Sequence, residues 1–272
     1  MITKIAMDIN YDILNFNKSL SNITAFSTLR GRIDANDPYS GFNICNYTGD
    51  NTEHISECRE VLCNSFGNEK MKIFMPKQSH SSNVAVIDSV FLEKSKDEQI
   101  QELNDIDAII TKLSNIIIGV NTADCLPIIM CDVKAKVIAV AHSGWRGTID
   151  KIATRTFFKM LALGATAETT HVIIGASICK DCYEIGNEVL EKFHKSGFPI
   201  DNIATLNTET NKYHLDLFEA NKWLLTESSN IPEANIKFIN ECTKCNPDKY
   251  FSARHLGIES GRIFTGIFRT EE

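Results

Sequence analysis

Residues 116–148 read IIIGVNTADCLPIIMCDVKAKVIAVAHSGWRGT, and their rhythm decides the fold. Three short apolar runs, IIIGV (116–120), PIIMC (127–131) and KVIAVA (136–141), are too short for helices and rich in β-branched residues. The DVKA turn between the last two predicts a hairpin of buried strands over 127–141. DAIIT (107–111) and HVIIG (171–175) have the same character. Between the hairpin and HVIIG, Ile149, Ile152, Ala153, Phe157, Met160 and Leu161 fall on one helical face. Thr148 is the expected N-cap of that helix, Asp150 suits its first turn and Gly164 ends it. Further helices are expected near 52–66, 185–196 and 214–227, and a charged surface excursion over 91–106. Strands beside capped helices, with at least one hairpin, make the class α/β (α+β) with mixed sheets.

Composition narrows the function classes. The chain has 272 residues, 43% apolar and 23% charged, with a formal charge of −7. No long basic run is present, so a general nucleic-acid surface is not expected. The opening stretch MITKIAMDINYDILNFN breaks every apolar run with charge and does not read as a signal peptide. No run approaches the ~18 apolar residues of a membrane span. Nine cysteines, an odd number without an export signal, argue for reduced thiols or metal ligands in a cytoplasmic protein. No internal repeat or linker divides the chain, so a single domain over residues 1–272 is expected.

The chemistry gathers where strands end. His142 follows a buried run, and Gly144 and Gly147 let the next loop turn tightly and approach a ligand. Arg146 adds fixed positive charge beside the helix expected to start near Thr148, together an anion subsite. Asp124 and Cys125 leave the end of 116–120. If that run and 136–141 are parallel neighbours, Cys125 and His142 leave from the same end, where ligands gather in α/β sheets. In KQSHSSNVAVID (77–88), His80 precedes a strand, flanked by Gln78 and serines. His80, Cys125 and His142 form a two-nitrogen, one-sulfur set that suits a catalytic zinc with one open position; copper is the alternative ion. The three lie 45 and 17 residues apart, so spacing alone does not select them. For each the plain alternative stands: a structural histidine or an inert buried thiol.

Several stretches together resemble a known family: QSHSSNV, NTADCLPI, AHSGWRGT, GASICKDCYEIG (175–186) and CTKCNPDKYFSARHLGIESGR (242–262), in that order. FSTLRGRIDANDPYSGFNICNYTGDN (26–51) resembles the family's opening segment. These are the proteins first labelled polyphenol oxidase or laccase-domain proteins and now understood as purine nucleoside phosphorylases with adenosine deaminase activity. The resemblance implies a single-domain, four-layer α/β/β/α sandwich. It implies a catalytic metal, usually zinc, on His80, Cys125 and His142. Its substrates would be adenosine, inosine and methylthioadenosine, cleaved by phosphate to base and ribose 1-phosphate by a monomer or homodimer. Arg146 and Arg30 are candidates for phosphate; Gln78, Gly147 and Arg254 are further candidates around the substrate. Asp124 is the candidate proton shuttle for deamination, or else a partner orienting His80 or His142. The usual deaminase signature, HxE with PCxxC, is absent. The older copper-oxidase reading asks for about ten histidines, commonly in His-x-His pairs, whereas this chain has seven and no such pair.

Two CxxC pairs, Cys179/Cys182 and Cys242/Cys245, allow a four-cysteine zinc site on pattern alone. The gap of 59 residues is unlike a compact ribbon and favours two separate pairs of reduced thiols. Tyr183 and Glu184 either line the pocket or cap a helix, and His54, His171, His194 and His214 read as structural or exposed.

Overall fold

The computed structural model describes residues 9–16, 20, 22–31, 33–66 and 71–271. The strands are β1 (Tyr11–Leu14), β2 (Ile23–Thr28), β3 (Lys72–Phe74), β4 (Val84–Ile87), β5 (Ala108–Thr111), β6 (Ile116–Thr122), β7 (Leu126–Asp132), β8 (Val137–Ser143), β9 (Thr170–Ile174), β10 (Glu184–Ile185), β11 (Ala204–Asn207), β12 (Lys212–Leu215), β13 (Ile236–Phe238) and β14 (Ile263–Arg269). They form a five-stranded sheet β1-β2-β14-β6-β3, a six-stranded sheet β13-β9-β7-β8-β5-β4 and a small sheet β10-β12-β11. The two large sheets mix parallel and antiparallel pairs; the small one is antiparallel. The expected mixed α/β class is therefore found.

Burial explains why the apolar runs are strands. Every residue of β6, β7 and β8 is buried, as expected of sheets covered on both faces. Alternate side chains serve different cores. Ile129, Cys131, Ile138 and Val140 of the six-stranded sheet meet Ile118, Val120 and Ile267 of the five-stranded sheet. Ile128, Met130, Ala139 and Ala141 point the other way, onto Ile152, Ala153, Phe157 and Met160 of helix Ile152–Ala162. Helix Thr52–Asn64 lays Cys58 and Leu62 against Phe26, Ile117, Phe264 and Phe268 of the five-stranded sheet.

Three sequence expectations differ from the structure. The 116–120 and 136–141 runs are not sheet neighbours: β6 and β8 lie in different sheets. Nor does Thr148 cap a helix. The chain makes a short helix, Trp145–Ile149, with Gly144 at its N-cap and no side-chain cap bond, then restarts at Ile152 through Lys151 at φ 61°. The Thr148 hydroxyl donates to the Gly144 carbonyl (2.9 Å) and accepts from Asn221 Nδ2 (3.0 Å), which locks it inside the fold. Leu161, expected on the buried face, is 39% exposed. The 91–106 excursion is helical at Ser89–Glu93 and Lys96–Glu102, the second opened by a capping box at Ser95 and Glu98.

Adjacent phenylalanines test the packing. Phe157 is 1% exposed and Phe158 52%. In urea unfolding, Phe157→Ala should cost about 3–5 kcal/mol. Phe158→Ala should stay within about 0.5 kcal/mol of wild type. Equal losses would contradict the face assigned to this helix.

Candidate metal centre and active site

Strand register brings the candidate ligands together. In the β7–β8 hairpin, Leu126 pairs with Ser143 and Pro127 with His142, so Cys125, one residue before β7, stands at the hairpin's open end beside His142. Ala108 of β5 pairs with Ala141 of β8, which sets Asp107 next to His142; the His142 N–H donates to the Asp107 carbonyl (2.7 Å). β4 runs parallel to β5 from Val84 opposite Ala108, so the loop carrying His80 arrives at the same end. His80, Cys125 and His142 then offer ligand atoms that all lie within 4.8 Å of one another. The Cys125 Sγ is 3.9 Å from His80 Nε2. His142 is buried and His80 is exposed, so the set has a wet side and a dry side.

Asp107 organises this cluster, although it lies outside the motifs that single out the other site residues. The His142 Nδ1 lies 2.7 Å from its Oδ1, which leaves Nε2 for the shared point. The same carboxylate accepts from the backbone N–H groups of Ser79 (3.2 Å), His80 (3.1 Å) and Ser81 (2.7 Å) and from the Ser81 hydroxyl (2.8 Å). These bonds hold His80 at φ 64°, a left-handed conformation unfavourable for a side chain of its size. The only available signal was an acidic residue heading an apolar strand, DAIIT.

Gly144 is required by close approach. A Cβ there would sit 2.8 Å from Cys125 Sγ and 3.0 Å from His80 Cδ2. Gly147 is a packing glycine; its Cβ would meet Ile152, the His142 carbonyl and the Ser81 carbonyl at 3.2–3.5 Å.

The electrostatics fit a thiolate-bearing site. Burial alone would raise the Cys125 thiol, but His142 and His80 outweigh it and bring the thiol down to about 6. Burial alone would lower His142; Cys125 and Asp107 overcome it and raise the imidazole to about 9. At neutral pH these values describe a thiolate–imidazolium pair; a soft divalent metal would displace the proton from His142 Nε2 and bind the thiolate, while Asp107 holds Nδ1 from behind.

The remaining candidates spread around this centre. Asp124, at φ 83°, does not orient either histidine; that role is Asp107's. Its carboxylate accepts from the Thr243 hydroxyl (2.7 Å) and the Arg254 N–H (2.6 Å), pinning two C-terminal loops next to Cys125. Burial raises the Tyr183 phenol, and its hydroxyl feels Cys125, Arg254, Asp124 and Arg146. Arg146 is exposed, its guanidinium 4.3 Å from the Trp145 ring centroid. Arg254 is exposed too; it donates to the Glu184 carbonyl (3.3 Å) and lies 5.3 Å over the Tyr183 ring. Arg30, by contrast, is 3% exposed. It donates to the carbonyls of Ser40 and Pro247 (3.2 Å each) and stacks on Phe251. Gln78 spends its amide on Tyr47 and on both backbone groups of Asn121. The two CxxC pairs, expected to be separate, have their four sulfurs together.

Comparison with known proteins shows the family to which the chain belongs. Residues 24–270 match the family model described as multi-copper polyphenol oxidoreductase laccase. The chain belongs to that family. It is 44% identical to an adenosine deaminase RL5 from an unknown prokaryotic organism, over 96% of this chain and 99% of that protein. It is 34% identical to a purine nucleoside phosphorylase of Bacteroides thetaiotaomicron, over 98% and 97% of the two chains. The fold matches the crystal structure of YlmD from Geobacillus stearothermophilus, with TM-score 0.83, 22% identity and 92% and 93% of the two chains covered. A purine nucleoside phosphorylase and adenosine deaminase family thus shares this chain's full span. Among the described residues, no helix is long and apolar enough to cross a membrane.

Two measurements probe the centre. In metal-stripped protein, alkylation of Cys125, followed by peptide mass spectrometry, should rise with pH around a midpoint of about 6, against about 8.5 for an ordinary thiol. Asp107→Asn should weaken metal binding about 10–100-fold in chelator competition. An unchanged affinity would remove Asp107 from the role assigned to it.

Proposed function

We propose that this protein is a metal-dependent purine nucleoside phosphorylase that also deaminates adenosine. The observation that carries this reading is the convergence of His80, Cys125 and His142 within 4.8 Å, backed by Asp107, in a chain closely similar to enzymes bearing those two names. The donor set fits zinc: a thiolate, two imidazoles, one of them oriented by a carboxylate, and a glycine where a Cβ would crowd the ligands. When bound, zinc would supply a Lewis acid with one open position.

The chain's own residues do the rest. Phosphorolysis replaces the bond between base and ribose C1′ with a bond to phosphate oxygen, so it needs a site for a dianion beside the sugar. We assign phosphate to Arg146 and Arg254, both exposed and both acting electrostatically on the Tyr183 phenol. The helix expected to start at Thr148 is not part of this assignment, because the first helix is a five-residue turn beginning at Trp145. Arg30 and Gln78 act through the loops they hold, since their polar atoms are engaged with backbone carbonyls and neighbouring side chains. Asp124 carries the proton during deamination: each carboxylate oxygen accepts one bond and keeps a lone pair beside Cys125. Gly147 lets the helix turn pass close to Ile152, where a Cβ would stand 3.2 Å from its Cγ2. The layer order α/β/β/α accords with helices Thr52–Asn64 and Ile152–Ala162 packing on the outer faces of the two large sheets. We infer adenosine, inosine and methylthioadenosine as substrates.

A phenol-oxidising multicopper centre is less well supported. The three-ligand cluster contains only two of the chain's seven histidines.

Purified protein given inosine and phosphate should release hypoxanthine, and given adenosine should also form inosine. His80→Ala should lower both turnovers by at least about 100-fold while leaving thermal unfolding within a few degrees, because His80 is exposed. A zinc-loaded wild type that turns over neither nucleoside, or one that consumes oxygen with phenols in proportion to bound copper, would overturn the assignment.

A further inference from the structure

We propose that Cys179, Cys182, Cys242 and Cys245 form a second metal site, a closed four-thiolate centre for structural zinc, distinct from the cluster of His80, Cys125 and His142. The four sulfurs lie within 4.8 Å of one another, and Cys182 and Cys245 are 3.4 Å apart. Four thiolates around one zinc at ~2.3 Å stand roughly 3.8 Å from each other, so the sulfurs are already gathered on the scale of a tetrahedral zinc shell. None of the four is joined in a disulfide.

The backbone, not attraction between sulfurs, builds this cage. Each CxxC is a tight turn: the Cys182 N–H donates to the Cys179 carbonyl (3.0 Å), and the Asn246 N–H (3.1 Å) and side-chain amide (2.8 Å) both donate to the Cys242 carbonyl. The two turns are joined by a parallel bridge between Ser177 and Cys242, with Ser177 N–H to Glu241 (3.3 Å) and Thr243 N–H to Ser177 (3.0 Å). One amide is aimed at sulfur: the Cys179 N–H donates to Cys242 Sγ (3.3 Å), a bond that favours thiolate. Lys180 and Asp181 balance one another inside the first turn, and Lys244 adds one positive charge inside the second. Four soft donors complete a tetrahedral shell and leave no position for substrate, so this ion would be structural, unlike the three-donor centre.

Its position gives it work. Thr243, within the second turn, donates its hydroxyl to Asp124; Ile178, just before the first, donates its N–H to the Asp124 carbonyl (2.9 Å). Tyr183 follows Cys182 directly and carries Arg254 over its ring. An ion holding the two turns together therefore fixes the wall of the site that bears Asp124, Tyr183 and Arg254.

The test is elemental analysis of full-length protein expressed with both zinc and iron in the medium. The wild type should hold two zinc ions per chain, one for each cluster. Cys182→Ser/Cys245→Ser and His80→Ala/His142→Ala should each hold one. Cobalt substitution should give thiolate-to-metal absorption of a four-sulfur site that persists in the histidine variant and vanishes in the cysteine variant. Should the cysteine variant fail to fold, alkylation of the wild type decides: all four cysteines should resist until a chelator is added. A single zinc with these four thiols freely reactive, disulfides between the two turns, or iron in their place would overturn the proposal. The histidine variant separates this site from the catalytic reading, because it can lose turnover while keeping the second zinc.

Discussion

A buried carboxylate sustains the functional end of this molecule. Asp107 is fully screened from water, where an unmet negative charge would cost several kcal/mol. Five donors meet it: three successive backbone amides, a serine hydroxyl and the His142 imidazole. The amides fix the path of the His80 loop and the imidazole fixes the ring of His142, so one charge positions two candidate ligands. Without it the left-handed turn at His80 would have little to oppose its strain.

That anchor works because the sheet delivers it. β4, β5, β8 and β7 lie side by side, and the starts of β4, β5 and β7 meet the end of β8. Their dry faces contribute the stability against which a strained loop and a buried ion pair can be held. The ligands stand at the strand ends, where the backbone leaves the ladder and a side chain can face both protein and solvent. Asp124 extends the same logic outward, tying the turn that carries Cys125 to the two C-terminal loops.

The family relationship and the geometry explain each other. A fold shared at TM-score 0.83 with a protein only 22% identical shows how far side chains can drift while the backbone fold is kept. Two of the polar residues singled out as substrate contacts, Arg30 and Gln78, are occupied in holding loops. The exposed cations Arg146 and Arg254 remain open toward solvent beside Tyr183. Sequence motifs mark where a family's site is; they do not say which of their polar groups are already spent on the protein itself.

The sequence alone determined the central strands β5 to β9, the 127–141 hairpin and the helix ending at Gly164, and with the family resemblance it offered His80, Cys125 and His142 as one candidate ligand set. Apolar runs and turn residues are local signals, and buried strands depend on them directly. Only the tertiary structure decided that β6 and β8 belong to different sheets, that Thr148 is locked by Gly144 and Asn221 rather than capping, that Asp107 and not Asp124 orients His142, and that two CxxC turns 59 residues apart share one point. Each of these depends on residues distant in the chain. It is fixed by cross-strand register and by which buried donors remain unmet, quantities that exist only once the sheets are assembled.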